Sequence, residues 1–180
     1  MVPSQPSVTR DSETPISLSS CITYGGKTKI EIDLSKSPME HARTRYARYT
    51  ITQPPVNRLR LISRDFPWAI EIDQRESIKC SDVWKAIYES FQSPIERDEW
   101  AIVDFLQDKD QMYQIERACR KRLERSPNED SRVRRVDWLS GRTEFRGLYR
   151  DDEFVNRRHP PGNDTDGIET LVVRMGRPKR

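Results

Sequence analysis

Arg58-Leu-Arg-Leu61, Arg64-Asp-Phe-Pro67, Trp68-Ala-Ile-Glu-Ile72 and, shortly after, Ser81-Asp-Val-Trp-Lys-Ala-Ile-Tyr-Glu-Ser-Phe-Gln92 form a stretch whose apolar period changes halfway along. Leu59 and Leu61 alternate with Arg58 and Arg60, and Trp68, Ile70 and Ile72 alternate with Glu71 and Asp73. That is the two-residue period of half-buried strands, with Arg64 to Pro67 as the turn between them. From Ser81 onward, Val83, Ile87 and Phe91 recur at steps of four with Trp84 and Tyr88 beside them, which gathers one apolar stripe on a helix. Strands followed directly by an amphipathic helix point to an α+β fold.

Downstream, Ser93-Pro-Ile-Glu96 carries the residue types of a capping box, with Ser at the N-cap, Pro in the first turn and Glu at N3. The helix it predicts runs through Trp100, Ala101, Val103 and Phe105. A third is expected from about Asp108 to Arg125 on Met112, Ile115, Cys119 and Leu123. After the Ser126 to Asp130 turn, Val136 and Trp138 alternate with charged neighbours, which predicts a strand; Gly141 ends it, and Phe145 to Tyr149 forms another. Residues 151–167 hold adjacent prolines and no period, so they read as a long exposed loop. Ile168 to Met175 closes the fold with Leu171, Val173 and Met175 on one face, and residues 177–180 are a tail.

Upstream, Ile22-Thr-Tyr24, Gly25-Gly26 and Thr28-Lys-Ile-Glu-Ile32 read as a β-hairpin, since Gly-Gly supplies the positive φ of a two-residue turn. Pro38 to Tyr49 shows no clean period and reads as irregular or weakly helical, ending at Gln53-Pro54-Pro55. Residues 1–18, rich in Ser, Thr and Pro, bury too little to offset their ordering entropy and are expected to be a disordered head. The whole is one α+β domain over residues 19–176, a mostly antiparallel sheet of about five or six strands with three central helices on one face. The order of strands, helices and strands argues against a doubly wound parallel sheet.

Of the 180 residues, 34% are hydrophobic, and 32 Lys+Arg stand against 29 Asp+Glu. So balanced a charge predicts a solvated surface and not a polycation. Residues 108–150 hold the largest basic excess, within which Arg117, Arg120, Lys121, Arg122, Arg125, Arg132, Arg134 and Arg135 crowd together. A phosphate-backbone footprint needs such a cluster on one face. The plainer reading is that cations at a helix C-terminus oppose its dipole while their stems cover apolar surface.

Cys21, Cys80 and Cys119 are odd in number and lack metal-site spacing, so three unpaired thiols are expected, with neither a disulfide framework nor a zinc site. No apolar signal region and no bilayer-length apolar run is present, which predicts an intracellular protein, cytoplasmic or nuclear, with no membrane partner.

Phosphate-loop, dinucleotide, metalloprotease and nucleophile-elbow motifs are all missing. His41 and His159 fall in segments without period. Cys80, just before a helix, could be a dipole-activated thiolate, but reads more simply as a small buried residue. Asp98, Glu99 and Asp104 are carboxylates whose proximity chance alone would supply. Trp68, Trp84, Trp100 and Trp138 fall on apolar faces, as core residues do. No catalytic, cofactor-binding or metal-binding residue and no cofactor is assigned.

Thr52-Gln-Pro-Pro-Val56, Leu59-Arg-Leu61 and Phe66-Pro-Trp-Ala-Ile70, then Ser81-Asp-Val-Trp-Lys-Ala-Ile-Tyr88, then Arg134-Arg-Val-Asp-Trp-Leu139 and Thr143-Glu-Phe-Arg-Gly-Leu148 lie in an order that resembles an uncharacterised domain family common in mushroom-forming fungi. The resemblance spans roughly residues 20 to 176. It departs at Phe66, where Leu is usual, at Trp138, where a smaller residue is usual, and in an extended Arg157-Arg-His-Pro-Pro161 loop. It brings no site residues. The expected function is a non-enzymatic protein-binding or scaffold module that recognises a protein partner or self-associates. The alternatives are a nucleic-acid-associated module using residues 117–135 and an enzyme of unrecognised type.

Overall fold

Residues 15–27, 30–39, 44–106, 108–158 and 168–179 are described by the structure, a computed structural model. The strand pattern around Leu59 gives β4 (Arg58–Ser63) and β5 (Ile70–Asp73), antiparallel with Leu59 opposite Ile72 and Leu61 opposite Ile70. β6 (Glu144–Tyr149) and β7 (Glu169–Gly176) pair antiparallel, and β7 runs parallel beside β4. With β2 (Ile32–Asp33) on β6, the main sheet is five-stranded in the order β2-β6-β7-β4-β5. A two-stranded piece, β1 (Ser17–Leu18) on β3 (Thr52–Gln53), stands apart from it. The α+β class therefore holds, in a mixed sheet that is antiparallel everywhere except between β4 and β7.

Helices α1 (Cys80–Gln92), α2 (Arg97–Leu106) and α3 (Lys109–Arg125) follow the sheet's first half. Val83, Trp84, Ile87 and Phe91 of α1, Val103 of α2 and Ile115 of α3 share one apolar cluster with Leu59, Leu61, Ile70, Leu148, Leu171 and Val173 of the sheet. Full burial of each such side chain contributes about 1.5–3 kcal/mol. Ile62 and Val172 are register partners, both fully buried, and lie outside that cluster. Alternate residues of a strand face opposite sides, so the sheet is covered at this point on its second side as well.

Several expectations need correction. The segments 22–24 and 32–33 do not pair as a hairpin; each pairs with β6. Thr23 bridges Leu148 in parallel, with Tyr24 N–H donating to Leu148 O and Leu148 N–H to Ile22 O, both at 2.8 Å, while Ile32 opposes Phe145. Residues 15–18 belong to the fold: β1 pairs with β3, and Leu18 packs on the core. Residues 1–14, the rest of the expected head, lie outside the described residues.

Val136 and Trp138 sit not in a strand but in a short helix, α4 (Arg135–Trp138), where Val136, Asp137 and Trp138 are consecutively buried. The first part of the expected 151–167 loop is also helical. α5 (Asp152–Arg158) is capped by Asp151, whose carboxylate accepts Phe154 N–H at 2.9 Å, and it packs on β7. Residues 159–167 lie outside the described residues.

The Ser93 capping box is not formed. Ser93 ends α1, its hydroxyl donating to Glu89 O at 3.3 Å, because residues 93–95 are held extended: Pro94 bridges Arg134, Ile95 N–H donates to Val133 O and Arg135 N–H to Ser93 O. α2 begins three residues later, with Glu99 Oε2 accepting Glu96 N–H at 2.9 Å. The same device, an acid reaching back to the N–H three residues earlier, opens α1 (Asp82 to Lys79, 2.8 Å) and α4 (Asp137 to Arg134, 2.9 Å). It satisfies one orphan donor at each start.

Two outcomes follow from this architecture. Ser93→Ala, having no cap to lose, should change unfolding free energy by less than about 0.5 kcal/mol in urea melts. Gly147 has φ +126°, and a Cβ there would meet Tyr24 N at 2.6 Å. Gly147→Ala combines backbone strain of about 1–3 kcal/mol with a clash against main chain that cannot retreat. It should therefore destabilise clearly more than Gly141→Ala, whose φ is also positive but whose Cβ would meet nothing within 4 Å.

Candidate interaction surface

The basic cluster separates into two groups. Arg122 leaves the inner side of α3, and its Nε donates to Asp137 Oδ1 at 3.1 Å and its Nη2 to Asp137 Oδ2 at 2.8 Å. The same guanidinium reaches Arg132 O at 2.9 Å and Glu129 at 3.2 Å. Asp137 also accepts Arg134 N–H, and its side chain is only 3% exposed. These carboxylate bonds hold the Arg122 charge in place, pushing its pKa above the usual guanidinium range.

Arg134 is committed to Glu129 at 3.0 Å and Gln92 at 3.2 Å, and Arg132 to Asp130 at 2.6 Å. Arg135 pairs with Glu99 at 2.7 Å and lies over the Trp68 ring, 5.1 Å from its centre. Trp68 in turn stacks on Phe66 and meets Trp138 edge-on. The structure thus places half of the cluster inside the domain's own ion-pair network. Arg117, Arg120, Lys121 and Arg125 remain on the exposed side of α3, making no ion pair among the described residues.

Several other candidates are likewise accounted for, while the Asp104 side chain lies outside the described residues. Glu99 belongs to Arg135, and Asp98 is exposed on α2 apart from it. Cys80 is fully buried at the first residue of α1; burial, with Cys21 beside it, pushes its thiol far up, the reverse of an activated thiolate. The tryptophans on apolar faces are core: Trp68, Trp84 and Trp138 are buried and Trp100 partly so. His41 and His159 lie outside the described residues. Among those described, no group of three or more His, Cys, Asp or Glu could hold a metal ion, and no helix is long and apolar enough to cross a membrane.

Sequence reasoning passed over one exposed segment. Arg45-Tyr-Ala-Arg-Tyr49 repeats an Arg-Tyr pair at an interval of three, and Arg45–Arg48 forms a 3₁₀ turn. Three residues per turn bring i and i+3 to the same side. Ala47 is buried against the domain and Tyr46 packs partly buried on its core, which leaves Arg45, Arg48 and Tyr49 exposed. Tyr46 and Tyr49 meet edge to face with ring centres 5.9 Å apart, and Arg45 lies 4.8 Å over the Tyr46 ring while donating to its hydroxyl at 2.6 Å.

Tyr49 is 48% exposed, and Arg45 and Arg48 are exposed without an ion pair among the described residues. The turn packs on α1, where Tyr49 O accepts Cys80 N–H at 2.9 Å and Thr50 bridges Lys79. It is a fixed platform. The signal was the three-residue repeat, which period-two and period-3.6 templates both miss.

The network makes a measurable demand. Removing one partner of a buried ion pair leaves the other charge uncompensated, at about 3–5 kcal/mol. Asp137→Ala should lose that much in urea unfolding, whereas Arg120→Ala on the outer side of α3 should lose less than about 0.5 kcal/mol.

Residues 30–159 match the model of a family described as a family of unknown function, DUF6699. No curated protein and no solved structure matches the chain.

Proposed function

We propose that the chain, which belongs to the DUF6699 family of unknown function, is a non-enzymatic protein-binding module that presents the Arg45–Tyr49 turn to an acidic segment of a protein partner. The exposed Arg-Tyr platform carries this reading. Tyr and Arg are enriched at the centres of protein interfaces, where a rigid ring gives area at little entropic cost and a guanidinium gives directed hydrogen bonds. Here the rings are set against each other and the guanidinium of Arg45 lies on one of them, so part of the ordering cost precedes binding. Two guanidiniums without carboxylate partners among the described residues favour an anionic counterpart. The buried ionisable groups are occupied within the domain, Asp137 by Arg122 and Glu99 by Arg135, with Cys80 held protonated. That supports the non-enzymatic part of the reading.

A second reading, association with nucleic acid, has its own observation. Tyr113, Arg117, Lys121 and Arg125 follow at four-residue steps on α3, with Arg120 alongside and Tyr113 59% exposed. An aromatic ring and a row of cations suit a phosphate backbone and a base. Glu116 and Glu124 share that helix and weaken the field.

Charge reversal separates the two readings. In pull-downs with mass-spectrometric identification, Arg45→Glu/Arg48→Glu should lose a protein that wild type and Arg117→Glu/Lys121→Glu both retain. Light scattering across a concentration series would identify that protein as a second copy if the same variant abolishes dimers. Retention on heparin lost only in the α3 variant, with capture abolished by nuclease, would overturn the first reading in favour of the second.

A further inference from the structure

Cys21 and Cys80 stand 59 positions apart in the chain, yet their sulfurs lie 3.5 Å from each other inside the domain. Cys21 belongs to an N-terminal strap formed by residues 15–27. Its attachments are β1 on β3, Ser19 N–H on Ile51 O at 2.8 Å and Tyr24 N–H on Leu148 O. Cys80 is the first residue of α1. Both are buried, at 3% and 0% exposure, and Ser19 Oγ lies 3.1 Å from the Cys21 sulfur. Cys119 lies elsewhere, on α3 beside Arg122 and facing Ser131 O.

We propose that Cys21 and Cys80 form a redox latch: a thiol pair that closes to a disulfide and fastens the strap to the start of α1. Sulfurs already in contact need only a small approach to reach the bonding distance of about 2.0 Å. The oxidant is a low-molecular-weight disulfide of the glutathione class. The Cys21 thiolate attacks one of its sulfurs and expels the first thiol; the Cys80 thiolate then attacks the Cys21 sulfur of the mixed disulfide and expels the second. Two protein thiols and one small disulfide give one protein disulfide and two small thiols, with two electrons passing to the oxidant and the protons to the departing thiolates.

Burial keeps the Cys80 thiol protonated and both sulfurs shielded in the closed domain, so oxidation proceeds through release of the strap. Such a segment opens locally at less than the free energy of global unfolding. The bridge then constrains the unfolded chain across a long loop and blocks further opening. Because Cys80 N–H also holds Tyr49 O, the latch stiffens the backbone beneath the Arg-Tyr platform. Its existence is independent of what that platform binds.

The test equilibrates the full chain in glutathione buffers of graded oxidised-to-reduced ratio, quenches in acid, alkylates and maps peptides without reduction. The expected result is a single Cys21–Cys80 bridge with Cys119 alkylated. Tm should rise by roughly 5–15 °C on oxidation, and amide exchange over residues 15–27 should slow. Cys119→Ser should keep both effects and Cys21→Ser should lose both. Three alkylated thiols at every ratio, a bridge that includes Cys119, or stable mixed disulfides without ring closure would each overturn the latch. The mapping of the unmodified chain decides this even if a cysteine variant fails to fold.

Discussion

The Arg122–Asp137 ion pair is the joint on which the helical layer depends. A carboxylate that is only 3% exposed cannot remain charged without compensation. Asp137 obtains it from two guanidinium nitrogens and from Arg134 N–H, which also starts α4. Arg122 spends its remaining donors on Arg132 O and Glu129, drawing the 126–134 turn onto α3. α4, placed in this way, packs on both α1 and α3. Its first residue, Arg135, links Glu99 of α2 to the Trp68 ring at the β4–β5 turn. One buried charge thus brings three helices and a sheet turn into register, and half of the cations that resemble a ligand surface in the sequence are part of the scaffold.

β6 has a comparable place in the sheet. It holds β2 at one end, the 22–24 strap segment at the other and β7 along its far side. The strap crosses so close to Gly147 that no side chain fits there, and the register between β6 and β7 shifts between Phe145 and Gly147. Such a bulge bends a strand and re-aims its neighbours. The strap that β6 receives is also the segment that carries Cys21 to Cys80 and supports the strand leading out of the Arg-Tyr turn. The displayed surface and the buried thiol pair are therefore two faces of one local assembly.

The sequence by itself determined the elements whose periodicity reports burial directly. Leu59 to Ile72 and Val83 to Phe91 became the predicted strands and helix because one face of each packs on the core, and the apolar period records that face. The α+β class, the third helix and the closing strand were legible for the same reason. Helix starts were less so. Ser93-Pro-Ile-Glu96 has the composition of a cap, yet strand-like bonds from Val133 and Arg135 hold it extended, and α1, α2 and α4 start instead on an acid three residues in, whereas α3 and α5 use an aspartate at the cap itself.

Only the tertiary structure decided the rest, because it depends on contacts between residues far apart in the chain. Val136-Asp-Trp138 alternates like a strand but is buried at all three positions, since Asp137 has a partner in Arg122 that local pattern cannot reveal. That β7 lies between β4 and β6, parallel to one and antiparallel to the other, is settled by packing and not by the apolar alternation of Leu171, Val173 and Met175. The division of the basic cluster into paired and unpaired cations, the exposure of Tyr49 beside buried Ala47, and the contact of Cys21 with Cys80 all arise in the same way. A sequence shows which side chains are charged, aromatic or thiol-bearing; which charges are neutralised, which rings are exposed and which sulfurs meet follows from how the chain closes on itself.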